Sequence, residues 1–318
     1  MKILVLGGLG FVGRHTVKKL ISNGYSVRVF DRTMGNNQAL GLRTGSDSIE
    51  FMAGEFTDKN LIRQALDGCQ ACVHLVTTTV PATSNADKIY DVNSNLIGTL
   101  QVLDAMHELN IKKIVFISSG GTVYGNPIYT PIDEEHPTNP LSSYGIVKLT
   151  IEKYCQLYND MHNLNSIVLR LSNPYGPGQS GTGIQGAIPV FTRKALLGQP
   201  IELWGDGNIV RDYIYIDDVT DAIVSSITYQ GKERVFNIGS GLGMSLNHII
   251  TSIRALVPND VLIDYKPARS LDVSISVLNV NKAFTELGWK PNVSFELGIQ
   301  SVIEDQKAAL ELSALQTG

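Results

Sequence analysis

Tyr144-Gly145-Ile146-Val147-Lys148 sets a phenol and an ammonium four residues apart. On a helix that spacing puts both side chains on one face. A cation beside a phenol favours the phenolate and draws its pKa down from about 10, so Tyr144 becomes usable as a general acid/base. With 12 tyrosines in 318 residues, chance alone supplies about one such pair, so its meaning depends on its surroundings.

The surroundings begin with Ile3 to Leu6, a wholly apolar run suited to a parallel strand covered on both faces. Gly7-Gly8-Leu9-Gly10-Phe11-Val12-Gly13 follows directly, and then a helix-like segment that Asn23-Gly24 terminates. Glycines at 7, 10 and 13 permit a tight turn, close approach to a pyrophosphate and close helix-to-strand packing. Phe11 and Val12 stand where the helix N-terminus offers N–H groups to the anion. Tyr25 to Phe30 reads as a second strand, closed by Asp31. Its carboxylate can accept from an adenosine ribose 2′-hydroxyl and would repel a 2′-phosphate, which predicts NAD rather than NADP. Arg32, the next residue, is a further candidate cofactor contact.

The alternation then continues. Ile49 to Met52 reads as strand, Leu61 to Leu66 as helix, Ala71 to Leu75 as strand, Asn93 to Leu109 as a long helix and Lys113 to Ser118 as strand. That last strand runs into Ser118-Ser119-Gly120-Gly121-Thr122-Val123-Tyr124-Gly125, small hydroxyl residues at the edge where open α/β sheets bind ligands. Tyr144 to Met161 is an amphipathic helix and Ile167 to Leu171 a strand. Beyond Asn173 the chain becomes rich in Gly and Pro, and Val235 to Ile238 reads as a return to the sheet. The expected fold is α/β: a Rossmann-like doubly wound parallel sheet with a smaller C-terminal α/β substrate lobe. Residues 1–173 and 213–238 would form the NAD-binding domain, and 174–212 and 239–318 the lobe that closes over the cleft.

A net charge of -4 without basic clusters argues against nucleic acid as a partner. No apolar run reaches the roughly 18 residues of a membrane span, and Met1-Lys2 leads into the first strand without a signal pattern, so the cytoplasm is the expected location. Cys69, Cys72 and Cys155 form neither a disulfide framework nor a zinc site, and no metal is expected. Cys72 reads as part of a buried strand.

The glycine turn, Ser118-Ser119, Tyr144-x-x-x-Lys148, Arg170-Leu171-Ser172-Asn173-Pro174-Tyr175-Gly176-Pro177 and Arg211-Asp212-Tyr213-Ile214 occur in one order along nearly the whole chain. Together they resemble the extended short-chain dehydrogenase/reductase family, most closely its nucleotide-sugar epimerases acting at C4 of UDP-hexoses and UDP-N-acetylhexosamines. The resemblance implies that Tyr144 is the catalytic base and that Lys148 holds the nicotinamide ribose. It implies that Asp58 meets the adenine, although Glu55 stands where an Asp is usual, and that Leu75 and Asn95 lie near the cofactor. Asn173, Arg211 and Arg269 match positions that hold a diphosphate, which a guanidinium can grip bidentately. Asp272 matches an acid near the nucleoside ribose, and Trp204 an aromatic that stacks on the base. A homodimer, through the helices around 93–109 and 144–161, is also implied, as is a role in cell-surface polysaccharide synthesis.

One departure concerns Gly120, where relatives commonly carry a hydroxyl that bonds the reacting sugar oxygen. Some relatives with Gly-Gly here carry it one residue earlier, which points to Ser119, with Thr122 the other candidate. Relatives that dehydrate or decarboxylate the sugar place carboxylates after the first hydroxyl of this loop, because loss of water needs an extra acid and base. This chain has Gly120, Gly121 and Thr122 there, which weighs against a 4,6-dehydratase or a decarboxylase. Asp31 weighs against an NADP-preferring reductase and intact Tyr144 and Lys148 against a non-catalytic sensor on the same fold, so an NAD-dependent epimerase is expected. Ser276, seven residues after Arg269, matches a gate at which a small residue admits 2-acetamido sugars. Gly186 departs from the Asn that often precedes the step matching Ile188-Pro189.

Overall fold

The computed structural model describes every residue except 37–39, 42–47, 183–185, 269–272 and 318, with side chains as far as Leu312. The strands in chain order are β1 (Lys2–Leu6), β2 (Ser26–Asp31), β3 (Ile49–Ala53), β4 (Ala71–His74), β5 (Lys113–Ser119), β6 (Asn165–Leu171) and β7 (Asn173–Tyr175). They continue with β8 (Ile201–Trp204), β9 (Val210–Tyr215), β10 (Val235–Ile238), β11 (Gly243–Ser245), β12 (Ile263–Lys266) and β13 (Ile275–Ser276). The helices are α1 (Phe11–Ser22), α2 (Lys59–Leu66), α3 (Pro81–Ser84), α4 (Lys88–Asp91), α5 (Gly98–Glu108) and α6 (Ser143–His162). Later come α7 (Ala187–Leu196), α8 (Ile216–Thr228), α9 (Leu246–Leu256), α10 (Asn281–Leu287) and α11 (Phe295–Thr317).

Seven strands form one sheet in the order β10-β6-β5-β4-β1-β2-β3, and every neighbouring pair is parallel. This is the Rossmann-like doubly wound sheet, with Val235–Ile238 returning to it as an edge strand. The uninterrupted apolar run of β1 has a direct cause. Ile3 and Val5 pack on one face with residues of α1 and α8, while Leu4 and Leu6 pack on the other with α2, α5 and α6. Both faces are dry, so no position in the run tolerates a polar side chain. Cys72 is buried in β4 as expected. A further cluster joins Ile188, Leu203, Ile249 and Ile299, from α7, β8, α9 and α11.

The strand order reverses between β1 and β4, the position at which open α/β sheets bind ligands beyond their carboxyl ends. There β1 runs into α1 through the glycine turn. Gly7 adopts φ +79° and donates its N–H to Phe30 O at 2.8 Å, and Gly10 donates to Gly7 O at 3.2 Å. A Cβ on Gly13 would overlap Gly7 O and the backbone of Gly8. That overlap is backbone on backbone, with no flexible side chain to yield. The long helix expected from residue 93 instead opens as a π-helical turn, Val92–Ile97, before α5 begins. Wide turns of this kind recur at functional sites, and Asn95 sits inside this one.

Gly13→Ala is therefore expected to lose about 3 kcal/mol of stability, read as a lower thermal midpoint. Gly121→Ala, where an added Cβ meets nothing within 4 Å, should stay within about 0.5 kcal/mol of the parent.

Candidate active site

Helix α6 is held at its start by groups from a separate segment of the chain. Ser142 caps it, its Oγ accepting from Gly145 N at 3.2 Å. Ser143 N donates to Asn85 Oδ1 at 2.8 Å and Tyr144 N to Ser84 Oγ at 3.1 Å. Ser143 Oγ donates to Asp91 Oδ2 at 2.6 Å. One turn further on, Lys148 Nζ donates to the carbonyl of Ile117 in β5 at 2.8 Å and lies 5.7 Å from the centre of the Tyr144 ring. The predicted pair is assembled, with its lysine buried and its tyrosine partly exposed.

The electrostatics correct one expectation. Burial pushes the Tyr144 phenol up to about 12, and the negative charge of Asp91 acts in the same direction. Burial also draws Lys148 down to about 8, against the opposing fields of Glu152 and Asp91. Lys148 by itself therefore does not depress the phenol: the cost of removing a phenolate from water outweighs a cation whose proton is already turned to a carbonyl.

Ser119 ends β5, partly buried, and its carbonyl accepts from Val123 N at 3.1 Å. Thr122 Oγ1 is buried with no hydrogen-bond partner among the described residues. The glycine at 120 has a steric reason. A Cβ there would lie 2.6 Å from Leu278 Cδ1 and 3.1 Å from Arg170 O, so a hydroxyl residue at this position would have to displace the Leu278 side chain.

On the cofactor side, Asp31 closes the glycine turn. Oδ2 accepts from Leu9 N at 2.9 Å and Oδ1 from Arg32 N at 2.8 Å. A carboxylate has about four lone-pair sites, so acceptor capacity remains for a ribose hydroxyl. Arg32 is exposed. Gly10 supplies no side-chain cap to α1, which leaves the first N–H groups, those of Phe11, Val12 and Gly13, directed at an anion site. Leu75 N donates to Leu6 O at 3.0 Å, setting β4 beside the turn. Asp58 is the N-cap of α2, its Oδ1 accepting from Asn60 N at 2.9 Å and Leu61 N at 3.1 Å. Asn95 accepts from Thr78 N at 2.9 Å and donates to Asp91 Oδ1 at 2.9 Å. A crossing with φ-positive glycine, an uncapped helix start and a strand-end carboxylate fits NAD.

On the substrate side, Asn173 donates to Asp212 O at 2.8 Å and lines a cavity of about 70 Å³ with Tyr175, Gly186, Ile188, Pro189 and Tyr213. Arg211 in β9 is paired in register with Ser276 in β13. Trp204 ends β8, opposite Lys266 of β12. Arg269 and Asp272 lie outside the described residues. Gly186 takes φ +88°, and a Cβ on it would come 2.9 Å from Pro189 Cγ and 3.2 Å from Gln179 Nε2. An asparagine would be strained and crowded there, which explains that departure.

Sequence reasoning missed Asp91 and Glu152. Asp91 is 1% exposed and gathers Thr79, Asn95 and Ser143 around one carboxylate. No local pattern marks it. Glu152 did carry a signal, since it continues the Tyr144, Lys148 spacing by one more turn.

The chain matches the model of the NAD dependent epimerase/dehydratase family over residues 3–239. It is 36% identical over 307 residues to a putative UDP-glucose 4-epimerase of Methanocaldococcus jannaschii, covering 96% of this chain and 98% of the relative. The structure of Thermotoga maritima UDP-glucose 4-epimerase with UDP-glucose superposes with a TM-score of 0.91 at 34% identity, covering 98% of this chain and 100% of that one. The UDP-N-acetylglucosamine 4-epimerase of Methanobrevibacter ruminantium, in complex with UDP-N-acetylmuramic acid, superposes with a TM-score of 0.90 at 25% identity, covering 97% and 98%.

Because Asp31 ties the glycine turn to the end of β2, Asp31→Ala should weaken NAD binding about tenfold or more, the loss of one to two charged hydrogen bonds. Calorimetric titration of the purified protein with NAD reads this, and an unchanged affinity would remove Asp31 from the cofactor site.

Proposed function

The chain belongs to the NAD-dependent epimerase/dehydratase family, and from that premise we propose that it inverts C4 of a UDP-hexose or UDP-N-acetylhexosamine through a transient 4-keto sugar. It is an NAD-dependent enzyme of the nucleotide-sugar 4-epimerase type. The observation that carries the reading is the buried ammonium of Lys148, held on Ile117 O one turn from Tyr144. The loop beside it carries glycine at 120 and 121 and so lacks the extra carboxylate that dehydration needs.

In this reading the N–H groups of Phe11, Val12 and Gly13 would hold the pyrophosphate of NAD, with Gly7 and Gly10 shaping the turn beside it. Asp31 and Arg32 serve the adenosine ribose, Asp58 the adenine, and Leu75 and Asn95 the walls of the cleft. Bound NAD supplies a reversible hydride acceptor at the sugar carbon and a positive ring charge that opposes the upward pull on the phenol. Tyr144 takes the proton from the C4 hydroxyl, and Lys148 stabilises the phenolate that does so. Ser119 bonds the same sugar oxygen, with Thr122 the other hydroxyl in reach of the role. Asn173, Arg211 and Arg269 hold the diphosphate, Asp272 the nucleoside ribose and Trp204 the base. The keto sugar, tethered by its diphosphate, would turn to present its other face, and as C4 regains the hydride on that face Tyr144 returns the proton to the C4 oxygen. Orientation and a tuned acid/base are the protein's contribution.

Ser276 is small and buried beside Arg211, which supports room for a 2-acetamido group. Residues 1–173 with 213–238 then bind NAD, and 174–212 with 239–318 the nucleotide sugar. Ile97, Ile146, Leu157 and Met161 are exposed on the π-helical turn and α6, which supports a homodimer through those helices. Cytoplasmic residence and a place in polysaccharide synthesis extend the same resemblance. No helix among the described residues is long and apolar enough to cross a membrane.

Incubation with UDP-glucose/UDP-galactose and UDP-GlcNAc/UDP-GalNAc, followed by NMR, should show interconversion within both pairs without net consumption of cofactor. Conversion of the unacetylated pair alone sinks the Ser276 argument. Tyr144→Phe should lose about a hundredfold or more in turnover while still binding NAD. Ser119→Ala should lose about tenfold or more, and near-native turnover in that enzyme would transfer the role to Thr122.

A further inference from the structure

Beyond Tyr144 and Lys148, helix α6 directs a third ionisable side chain inward at the next turn. Glu152 is buried, with 4% of its side chain exposed, and so is its partner Arg170 at 6%. Arg170 Nη2 donates to Glu152 Oε2 at 2.6 Å, and Arg170 Nε donates to both carboxylate oxygens at 3.2 and 3.1 Å. Ser118 Oγ donates to Glu152 Oε1. Arg170 is held in turn, its Nη1 donating to Tyr124 OH at 2.9 Å, and Tyr124 OH donates to Asn237 Oδ1 at 2.6 Å. One carboxylate thus joins α6 to β6 and to β5.

The point of attachment on β5 matters. Ser118 follows Ile117, whose carbonyl receives Lys148, and precedes Ser119. Helix and strand are therefore clamped at two adjacent residues, Lys148 on Ile117 and Glu152 on Ser118.

We propose that Glu152 is a positioning residue for the acid/base pair, its carboxylate clamping the end of β5 to α6 and supplying the negative charge that keeps the buried Lys148 in its cationic form. This rests on the reading of Tyr144 and Lys148 as the reacting pair. The charged and titratable groups that face Lys148 are few. Tyr144 and Glu152 come from its own helix and Asp91 from α4. His74 comes from β4, where burial first and then Lys148 lower it to about 3, so it stays neutral through the working range. Glu152 and Asp91 are the two that favour the ammonium against burial. Facing Glu152 are Arg170 from β6 and Cys155 on α6, whose thiol burial and Glu152 push up to about 12. Arg170 is itself held charged by Glu152, against the cost of burial.

Lys148 sits near 8, so the active enzyme loses its cation as pH rises through that value. Removing the charge of Glu152 lowers the Lys148 pKa further, and the loss begins at lower pH. In Glu152→Gln the alkaline limb of kcat is expected to move down by about one pH unit, with kcat at pH 8 reduced about fivefold and the KM for sugar nucleotide within about twofold. That variant leaves Arg170 buried and unpaired, a state that can prevent folding. The paired variant Glu152→Gln/Arg170→Met removes both charges, so loss of the cation offsets part of the loss of the carboxylate, and the limb is expected to move in the same direction by a smaller amount. An alkaline limb that stays in place in whichever variant folds overturns the proposal, and so does failure of both to fold, which would assign the pair to stability. Tyr144→Phe, run alongside, separates the two layers. Surviving turnover there defeats the acid/base reading itself, whereas a dead Tyr144→Phe enzyme beside an unmoved limb defeats only the role of Glu152.

Discussion

The hydrogen bond from Lys148 to the carbonyl of Ile117 is the contact on which the rest of the site depends. An ammonium taken out of water needs its protons satisfied and its charge balanced, or it gives up the proton. The end of β5 meets the first need with a backbone carbonyl, and Glu152 and Asp91 contribute to the second. The helix that carries the lysine is thereby fixed against the strand, and Tyr144, one turn earlier, is held with its ring 5.7 Å from the ammonium. Loss of the lysine's charge would remove the reason for this arrangement along with its chemistry.

Around that contact the backbone leaves little slack. Gly13 packs against Gly7 and Gly8, Gly120 against Leu278 and Arg170, and Gly186 against Pro189. In each place a missing Cβ allows two segments to approach more closely than side chains permit. The two departures from the family pattern, at 120 and 186, share this cause. A hydroxyl or an amide at either position would meet a neighbouring side chain, whereas Ser119, one residue earlier than Gly120, is only partly buried.

Asp91 and Glu152 show how buried carboxylates organise such a site. Each collects hydrogen bonds from elements distant in sequence: Asp91 from the 79 loop, the π-helical turn and α6, Glu152 from β5 and β6. A buried charge without partners is costly, so the elements that donate to it are held together. The widened turn at Val92–Ile97 is part of the same arrangement, since Asn95 within it reaches both Thr78 and Asp91.

The sequence alone determined the doubly wound sheet, the placing of the glycine turn and the pairing of Tyr144 with Lys148. Each of these is written in short-range pattern: apolar runs for strands dry on both faces, glycines at one turn, side chains four apart on a helix. Residue types at fixed spacing suffice because the backbone geometry of a strand or helix is local. The remaining features were settled by tertiary structure. That the phenol is raised rather than lowered depends on burial and on Asp91, which lies 53 residues from Tyr144 in the chain. That a side chain at 120 would crowd its surroundings depends on Leu278, brought there from much later in the sequence. Desolvation and steric exclusion act through space between segments whose meeting no local pattern encodes, so only the folded chain could decide them.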